Sequence, residues 1–344
     1  MKNTYLKISV FIILVVFYLS SCSRGNAQVI AGDEHSASAA AEETKIEETQ
    51  SAPKFVLIPE SAQPGEFITI GYEDTRSAEN LRAVLYDSRG RLLTRAAFFN
   101  LDEEPKITSF TYEAAVLAIP STALPGSAVI SIESEGRIIQ ELPITIERRE
   151  FRAETIYLDE RNTELRTVPD PQKTAESEQL WAILSHSGKV IFTQKQFIAP
   201  VASTRRTSAY GNRRVYQYSD GTSDTTIHAG VDIGVPTGTE VFASGQGRVV
   251  LARPRIVTGN TVVLEHLPGI YSLYYHLDSI SVDEDAIIEA GSVLGRAGAT
   301  GLATGPHLHW EIRVSGENAD PDFFLNRAIL DKNDLIGKIR NKEQ

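Results

Sequence analysis

Short apolar runs that alternate with polar residues recur along most of this 344-residue chain and constrain its fold more than any other feature. Successive side chains of an extended segment point to opposite faces, so runs of this kind predict half-buried strands. Between residues 54 and 147, about seven such runs are separated by turn signals, including Gln63-Pro64-Gly65 and Ser134-Glu135-Gly136. Strands at this spacing predict a β-sandwich over residues 54–147.

In architecture, the predicted sandwich resembles the immunoglobulin-like modules of bacterial surface proteins. It lacks their disulfide, because Cys22 is the only cysteine of the chain. No group of polar residues within it is typical of catalysis. We therefore expect a spacer, or a module that docks an envelope protein partner.

Residues 200–326 show the same alternation and many glycines, and they predict a second, antiparallel β-sheet domain with almost no helix. Residues 148–199 are interrupted by Pro169 and Pro171 and predict a connector that contains a short helix near 174–184. Residues 327–344 are expected to form a C-terminal tail, with a short polar helix as the alternative. The expected fold class is all-β.

The N-terminus has the pattern of an export signal. Lys2 and Lys7 precede an apolar run over residues 8–19, which is of signal-peptide length and too short to span a bilayer. Leu19-Ser20-Ser21-Cys22 resembles the lipobox of bacterial lipoproteins, which implies removal of residues 1–21 and acylation of Cys22. The mature protein would then be anchored in the membrane by acyl chains, within the cell envelope and facing the periplasm or outer membrane. The alternative is a chance cysteine beside a signal-peptidase site.

Residues 22–53 are expected to be a flexible acidic tether that carries the lipidated Cys22. Large apolar side chains are scarce in this stretch, so it buries too little surface to offset the entropy of ordering. The formal net charge of the whole chain is −11, which argues against nucleic acid as a partner because phosphate binding needs a clustered positive surface.

The histidines carry the strongest chemical signal. Seven occur in the chain, and four of them lie in three segments, HAGVD, SLYYHL and GPHLHWE, together with an aspartate. Imidazole and carboxylate groups are common zinc ligands. A group that contains more histidines than are needed to bind the metal is typical of a hydrolytic site. The set consists of His228, Asp232, His276, His307 and His309.

Spacing within these segments is compatible with a shared site. His307 and His309 are two apart in a strand-like run, so both should point to one face while Leu308 packs in the core. His228 and Asp232 are four apart in an extended segment, and an even spacing again returns to one face. For His307 and His309, the alternative is a pair of surface histidines without a role in the site.

Other polar residues are less informative. We interpret His266 as structural or groove-lining and His186 as a loop histidine. Residues 215–227 form a polar insertion in which Tyr216 or Tyr218 is a candidate for substrate contact.

Residues 200–326 resemble the lysostaphin-like zinc metallopeptidases. The resemblance runs in order through SAYGNR, HAGVD, GTEVFASGQGRVV, GNTVVLEH, SLYYHL, AGSVLGRAGATGLATGPHLHWEIR and a terminal Asp-Pro. It implies the antiparallel fold of that family, Zn2+ as cofactor, and the stem peptides of bacterial peptidoglycan as substrate. Asp285 stands where the family usually has glycine, in a turn away from the site.

The resemblance also implies roles for residues. His228, Asp232 and His309 would hold zinc, while His276 and His307 would be catalytic. One of these two histidines would be the general base and the other would stabilise the oxyanion, but the resemblance does not decide which has which role. The leading hypothesis is a lipid-anchored zinc metalloendopeptidase that hydrolyses peptide cross-links in peptidoglycan. The alternatives are a catalytically dispensable activator of a cell-wall amidase and a surface structural lipoprotein.

Overall fold

A computed structural model of the protein describes residues 54–74, 80–101 and 111–341. The predicted signal peptide, the lipidation of Cys22 and the tether lie outside these residues. Strands dominate the described chain and helices are few, which confirms the prediction of an all-β protein. Within the described ranges, no helix combines the length and apolar character needed to cross a membrane.

The N-terminal part is a β-sandwich of two sheets. One has the strand order β1-β3-β7-β6 and the other the order β2-β9-β8-β4-β5. Alternation in β3 sends Ile68 and Ile70 into the apolar layer between the sheets, as predicted from the sequence. That this sandwich is immunoglobulin-like stays a prediction. The strands are β1 (Lys54–Ile58), β2 (Ser61–Ala62), β3 (Phe67–Asp74), β4 (Arg82–Asp87), β5 (Leu92–Ala97), β6 (Phe99–Asn100), β7 (Thr111–Ala118), β8 (Gly126–Ser134) and β9 (Arg137–Ile146).

The connector is more ordered than the sequence indicates. It contains a strand, β10 (Ala153–Tyr157), and two helices, α1 (Glu160–Thr167) and α2 (Pro171–Ser185). The Pro169-Asp170-Pro171 segment starts α2, because the Asp170 side chain accepts a hydrogen bond from the Gln172 amide and Pro171 occupies the first turn. The predicted short helix therefore begins three residues earlier, and a second helix precedes it.

The C-terminal part is built on a ten-stranded sheet whose main path is β11-β14-β21-β18-β17-β16-β19. A small sheet of order β10-β12-β13 lies beside it, and β10 pairs in parallel with β12. The elements are β11 (Arg206–Ser208), β12 (Arg213–Gln217), β13 (Ser223–Ile227), β14 (Val231–Ile233), β15 (Glu240–Phe242), β16 (Gly247–Arg255), β17 (Gly259–Leu267), β18 (Ile270–Ile280), β19 (Ile287–Ile288), β20 (Val293–Ala297), β21 (Leu308–Val314), β22 (Glu317–Ala319), α3 (Pro321–Phe324) and α4 (Lys332–Asn341).

The C-terminal residues form a helix, which is the alternative to the predicted tail. Helix α4 packs on β1 and β3, and its Leu335 and Ile339 are fully buried. Phe67 of β3 and Phe324 of α3 pack against each other with ring centroids 4.6 Å apart and the ring planes tilted by 37°. The β1-β3-β7-β6 sheet is thus covered on both faces, and one continuous apolar core joins it to the C-terminal sheet.

Candidate metal centre

Strand register places three side chains of the candidate site on one face of the C-terminal sheet. Asp232 of β14 lies directly opposite His309 of β21, and His309 lies opposite Tyr275 of β18. Opposed residues on adjacent strands share a face, so the carboxylate, the imidazole and the phenol lie side by side. Leu308 and Trp310 point to the other face and are fully buried, as the HLH pattern predicts.

His228 reaches this group from the turn before β14. Its Nε2 lies 3.2 Å from Asp232 Oδ1 and 3.1 Å from His309 Nδ1. The turn passes so close to β21 that a Cβ on Gly230 would lie 2.3 Å from the Trp310 carbonyl oxygen, which requires glycine there. One ligand atom from each of His228, Asp232 and His309 lies within 4.8 Å of the other two.

The outer hydrogen bonds fix which ring nitrogens point inward as acceptors. His228 Nδ1 lies 2.8 Å from the Ala209 carbonyl oxygen, and His309 Nε2 lies 3.3 Å from Glu311 Oε2. A carbonyl and a carboxylate only accept, so these two nitrogens carry the protons of the neutral rings. Two imidazole lone pairs and a carboxylate oxygen then converge on one point, which is the donor set that divalent zinc prefers.

Local electrostatics favour a positive charge at that point. Burial alone would lower the pKa of His309, but hydrogen bonds to Asp232 and Glu311 raise it to about 9. Burial opposes ionisation of Asp232 as well, yet its hydrogen bonds to His228 and His309 hold its pKa well below the ordinary value. Without a metal, a proton on His309 therefore satisfies the acceptors, and a bound cation would displace it.

His276 and His307 stand beside these three residues. Each uses Nδ1 to donate to a backbone carbonyl, His276 to Thr300 and His307 to Gly305, both at 2.8 Å. Their rings are 4.8 Å apart, and His307 Nε2 lies 3.7 Å from Asp232 Oδ1. Both Nε2 atoms are left as acceptors inside the same cavity. Burial and the neighbouring imidazoles of His307 and His309 lower the pKa of His276 to about 3.

A backbone irregularity turns His276 toward the site. The pairing of β18 with β17 shifts between Val262 and Asn260, and His276 has a φ of 60°. In a regular strand His276 would face away from Tyr275, whereas a bulge with one left-handed residue redirects the side chain. Both side chains can then contribute to one cavity, and Tyr275 stacks on His309 with ring centroids 5.1 Å apart.

A groove of about 250 Å³ runs over the five residues. One wall comes from the connector and the hairpin of β12 and β13, through Leu158, Arg166 and Tyr216. The Arg166 guanidinium lies 4.2 Å from the centre of the Tyr216 ring and donates to Tyr218 Oη and Asp224. Of the two tyrosines predicted as candidates for substrate contact, Tyr216 lines the groove, whereas Tyr218 packs behind it.

The remaining histidines lie elsewhere. His266 is fully buried and bonded to the Gln246 carbonyl and Ser272 Oγ, and its ring packs on Phe197. His186 terminates α2. Neither lies among the residues around the groove, so of the two interpretations of His266, structural or groove-lining, its burial favours the structural one.

Sequence reasoning did not identify several residues that surround the site. Glu311 follows His309 by two in β21, so the period-two rule could have placed it on the same face. Arg214 donates to Asp232 Oδ2, and Glu154 accepts from Arg214. No local pattern connects these two residues, which are 60 positions apart in sequence.

Comparison with known proteins supports a peptidase domain at the C-terminus. Residues 226–321 match Peptidase family M23. The chain is 36% identical over 135 residues to the DD-carboxypeptidase/endopeptidase Mpg of Neisseria meningitidis serogroup B, covering 39% of this chain and 30% of that protein. It is 39% identical over 93 residues to the peptidoglycan DD-endopeptidase ShyB of Vibrio cholerae, covering 27% of this chain and 22% of that protein.

These likenesses concern a domain, because the chain spans less than a third of the length of either relative. Among solved structures, a putative peptidase M23 from Pseudomonas aeruginosa matches with a TM-score of 0.50 and 22% identity. The match covers 76% of this chain and 93% of that one, so the shared fold extends beyond the C-terminal domain.

Proposed function

We propose that this protein is a zinc endopeptidase that hydrolyses peptide cross-links in bacterial peptidoglycan. One observation carries the proposal: three acceptor atoms converge on a cation position, and two further histidines present free Nε2 atoms to the same groove. Relatives named as peptidoglycan DD-endopeptidases support the substrate class.

His228, Asp232 and His309 would hold the zinc. Zinc supplies a Lewis acid and lowers the pKa of water toward neutrality. His276 and His307 provide the proton transfers, because each has a neutral Nε2 that accepts a proton while Nδ1 stays bonded to a carbonyl. One of the two takes the proton of the attacking water and passes it to the departing amine. The other takes a proton from solvent at Nε2 before the reaction, donates that hydrogen to the carbonyl oxygen as the oxygen gains negative charge, and keeps the proton when the carbonyl re-forms.

The other segments of the chain would anchor and position the peptidase domain. A lipobox ending at Cys22 and an acidic tether over 22–53 would anchor the protein in the cell envelope and let the peptidase domain reach the wall. The sandwich, residues 54–147, would act as a spacer or would dock an envelope protein partner. Residues 148–199 would connect it to the peptidase domain, residues 200–326.

Digestion of purified sacculi tests the activity directly. The full chain, loaded with one equivalent of zinc, should convert cross-linked muropeptides to uncross-linked ones with a new free amine, as detected by mass spectrometry. A chelator should abolish the conversion, and added zinc should restore it. An unchanged muropeptide profile from protein with stoichiometric zinc would overturn the proposal. Stimulation of an added amidase that survives loss of His276 and His307 would instead favour the activator hypothesis.

A further inference from the structure

Glu154 of β10 lies outside the stretch that matches the peptidase family, residues 226–321, yet its carboxylate sits next to the candidate metal centre. Because β10 pairs in parallel with β12, Glu154 lies directly opposite Arg214. Glu154 Oε1 accepts from Arg214 Nε and from Ser208 Oγ, each at 2.6 Å, and Oε2 accepts from Asn212 Nδ2 at 3.0 Å. Two of these three side chains, those of Arg214 and Ser208, contact the side chains of metal-ligand candidates.

The first branch runs through Arg214 to Asp232. Arg214 donates Nη2 to Asp232 Oδ2, while Oδ1 of the same carboxylate faces His228 and His309. The side chain of Arg214 is only 11% exposed, so its positive charge acts on the metal position with little screening by solvent. Glu154 supplies the negative charge that balances it. Without Glu154, an unbalanced guanidinium beside Asp232 would oppose a divalent cation.

The second branch runs through Ser208 to His228. The single hydroxyl proton of Ser208 is donated to Glu154, so its oxygen is left as an acceptor for the Nδ1 proton of His228, 3.2 Å away. This arrangement agrees with the Ala209 carbonyl, which also requires a proton on that nitrogen. Glu154 therefore supports the tautomer in which Nε2 of His228 is free to bind metal.

We propose that Glu154 is a positioning residue of the metal centre, which sets metal affinity by balancing the charge of Arg214 and orienting the Ser208 hydroxyl. The inference rests on the proposed function, because it assumes that His228, Asp232 and His309 bind zinc. It assigns to the connector a role in the chemistry of the C-terminal domain, since the residue that organises two ligands comes from β10.

Zinc affinity of four full-length variants tests this role: wild type, Glu154→Gln, Arg214→Gln and the double variant, each titrated against a chelator of known affinity. Glu154→Gln should bind zinc about 10- to 100-fold more weakly, as is common when a group that orients a metal ligand is lost. Adding Arg214→Gln should restore part of the lost affinity, because it removes the unbalanced charge. Glu160→Gln, an exposed glutamate of the same connector, is the matched control and should bind as wild type does.

Absorption of the Co2+-substituted proteins gives a second readout, since the d–d bands report the geometry around the metal. The bands should change in Glu154→Gln and stay as in wild type in the control Glu160→Gln. Wild-type zinc affinity in Glu154→Gln would overturn the inference. A double variant that binds zinc more weakly than Glu154→Gln would also overturn it, because that result would indicate a purely structural role for Glu154. Circular dichroism of the metal-free variants separates these outcomes from misfolding. If wild-type protein itself binds no zinc, the proposed function fails first, and this inference fails with it.

Discussion

As a neutral ring, the form needed to bind a metal, each of the four histidines around the groove donates one ring proton to an acceptor that cannot donate in return and has a lone pair on its other nitrogen. The acceptors are the carbonyl oxygens of Ala209, Thr300 and Gly305 and the carboxylate of Glu311. What distinguishes the histidines is where the free nitrogen points. In His228 and His309 it lies about 3 Å from Asp232 Oδ1, whereas in His307 it lies 3.7 Å from that oxygen, and the rings of His276 and His307 line the groove.

This difference predicts that two alanine substitutions affect the zinc content of the protein differently. His309→Ala removes one of three ligand atoms, so zinc content should fall well below one equivalent and cleavage should be lost. His307→Ala leaves all three ligand atoms in place, so zinc should stay near one equivalent while kcat falls by about 10²- to 10⁴-fold, the usual loss of a general acid or base. Metal analysis by mass spectrometry, together with sacculus digestion, measures both. Loss of zinc in His307→Ala would contradict the assignment.

His266 predicts a pH dependence of stability that is independent of the metal site. Burial lowers its pKa from 6.5 to about 4, so between these values the unfolded chain binds more protons than the folded one. The folded state therefore loses stability as pH falls below 6.5, by about 2 kcal/mol for this residue at pH 5. Urea unfolding at pH 7.5 and pH 5 should show this loss in wild type. His266→Gln should reduce the difference by that amount, and an unchanged pH dependence would contradict the prediction.

At the scale of elements, the site depends on how closely its turns approach β21. Sequence alternation predicts that His307 and His309 share a face, and they do, because the rule is local to one strand. The approach of the turn at Gly230 to the Trp310 carbonyl and the bulge at His276 were not predictable in this way. Both depend on a neighbouring strand that is distant in sequence.

Substitution of Gly230 tests that close approach. A Cβ there would overlap the Trp310 carbonyl, so Gly230→Ala should push the turn outward, move His228 away from Asp232, and weaken zinc binding. We also expect the free energy of unfolding to fall by about 1–3 kcal/mol, as for overpacked sites generally. Gly337→Ala in α4 is the matched control, because outside the neighbouring residues and the backbone of its own helix no atom lies within 4 Å of its added Cβ. Equal behaviour of the two variants in urea unfolding and zinc titration would count against this account.

At the scale of the whole molecule, one apolar core joins the sandwich, the C-terminal sheet and the last helix. It includes Phe67 and Val116 from the sandwich, Trp310 from the C-terminal sheet, and Leu335 and Ile339 from α4. Burial of this apolar surface couples the parts energetically, because none can separate without exposing it to water. The β1-β3-β7-β6 sheet is consequently a structural layer shared by both halves of the described chain.

Such a shared core predicts cooperative unfolding. Leu335→Ala should lower the free energy of unfolding by about 2–5 kcal/mol, since it leaves a cavity against Gly71 and Val56. Calorimetry should show one transition that moves as a whole to lower temperature, because α4 packs on the sandwich and the core continues into the C-terminal sheet. Asn333→Ala, an exposed residue of the same helix, serves as the control. Two separate transitions, with only one of them shifted, would show that the halves unfold independently.

Local patterns in the sequence were sufficient to predict the all-β class, the face shared by His307 and His309, and the residue types of the candidate metal site. These predictions depend on strand periodicity and side-chain chemistry, which are properties of short segments. Tertiary structure alone decided the register that sets Asp232 beside His309, the bulge that turns His276, the packing of α4, and the link from Glu154 to the site. The physical reason is that each of these depends on contacts between segments far apart in the chain, whose pairing no local pattern specifies.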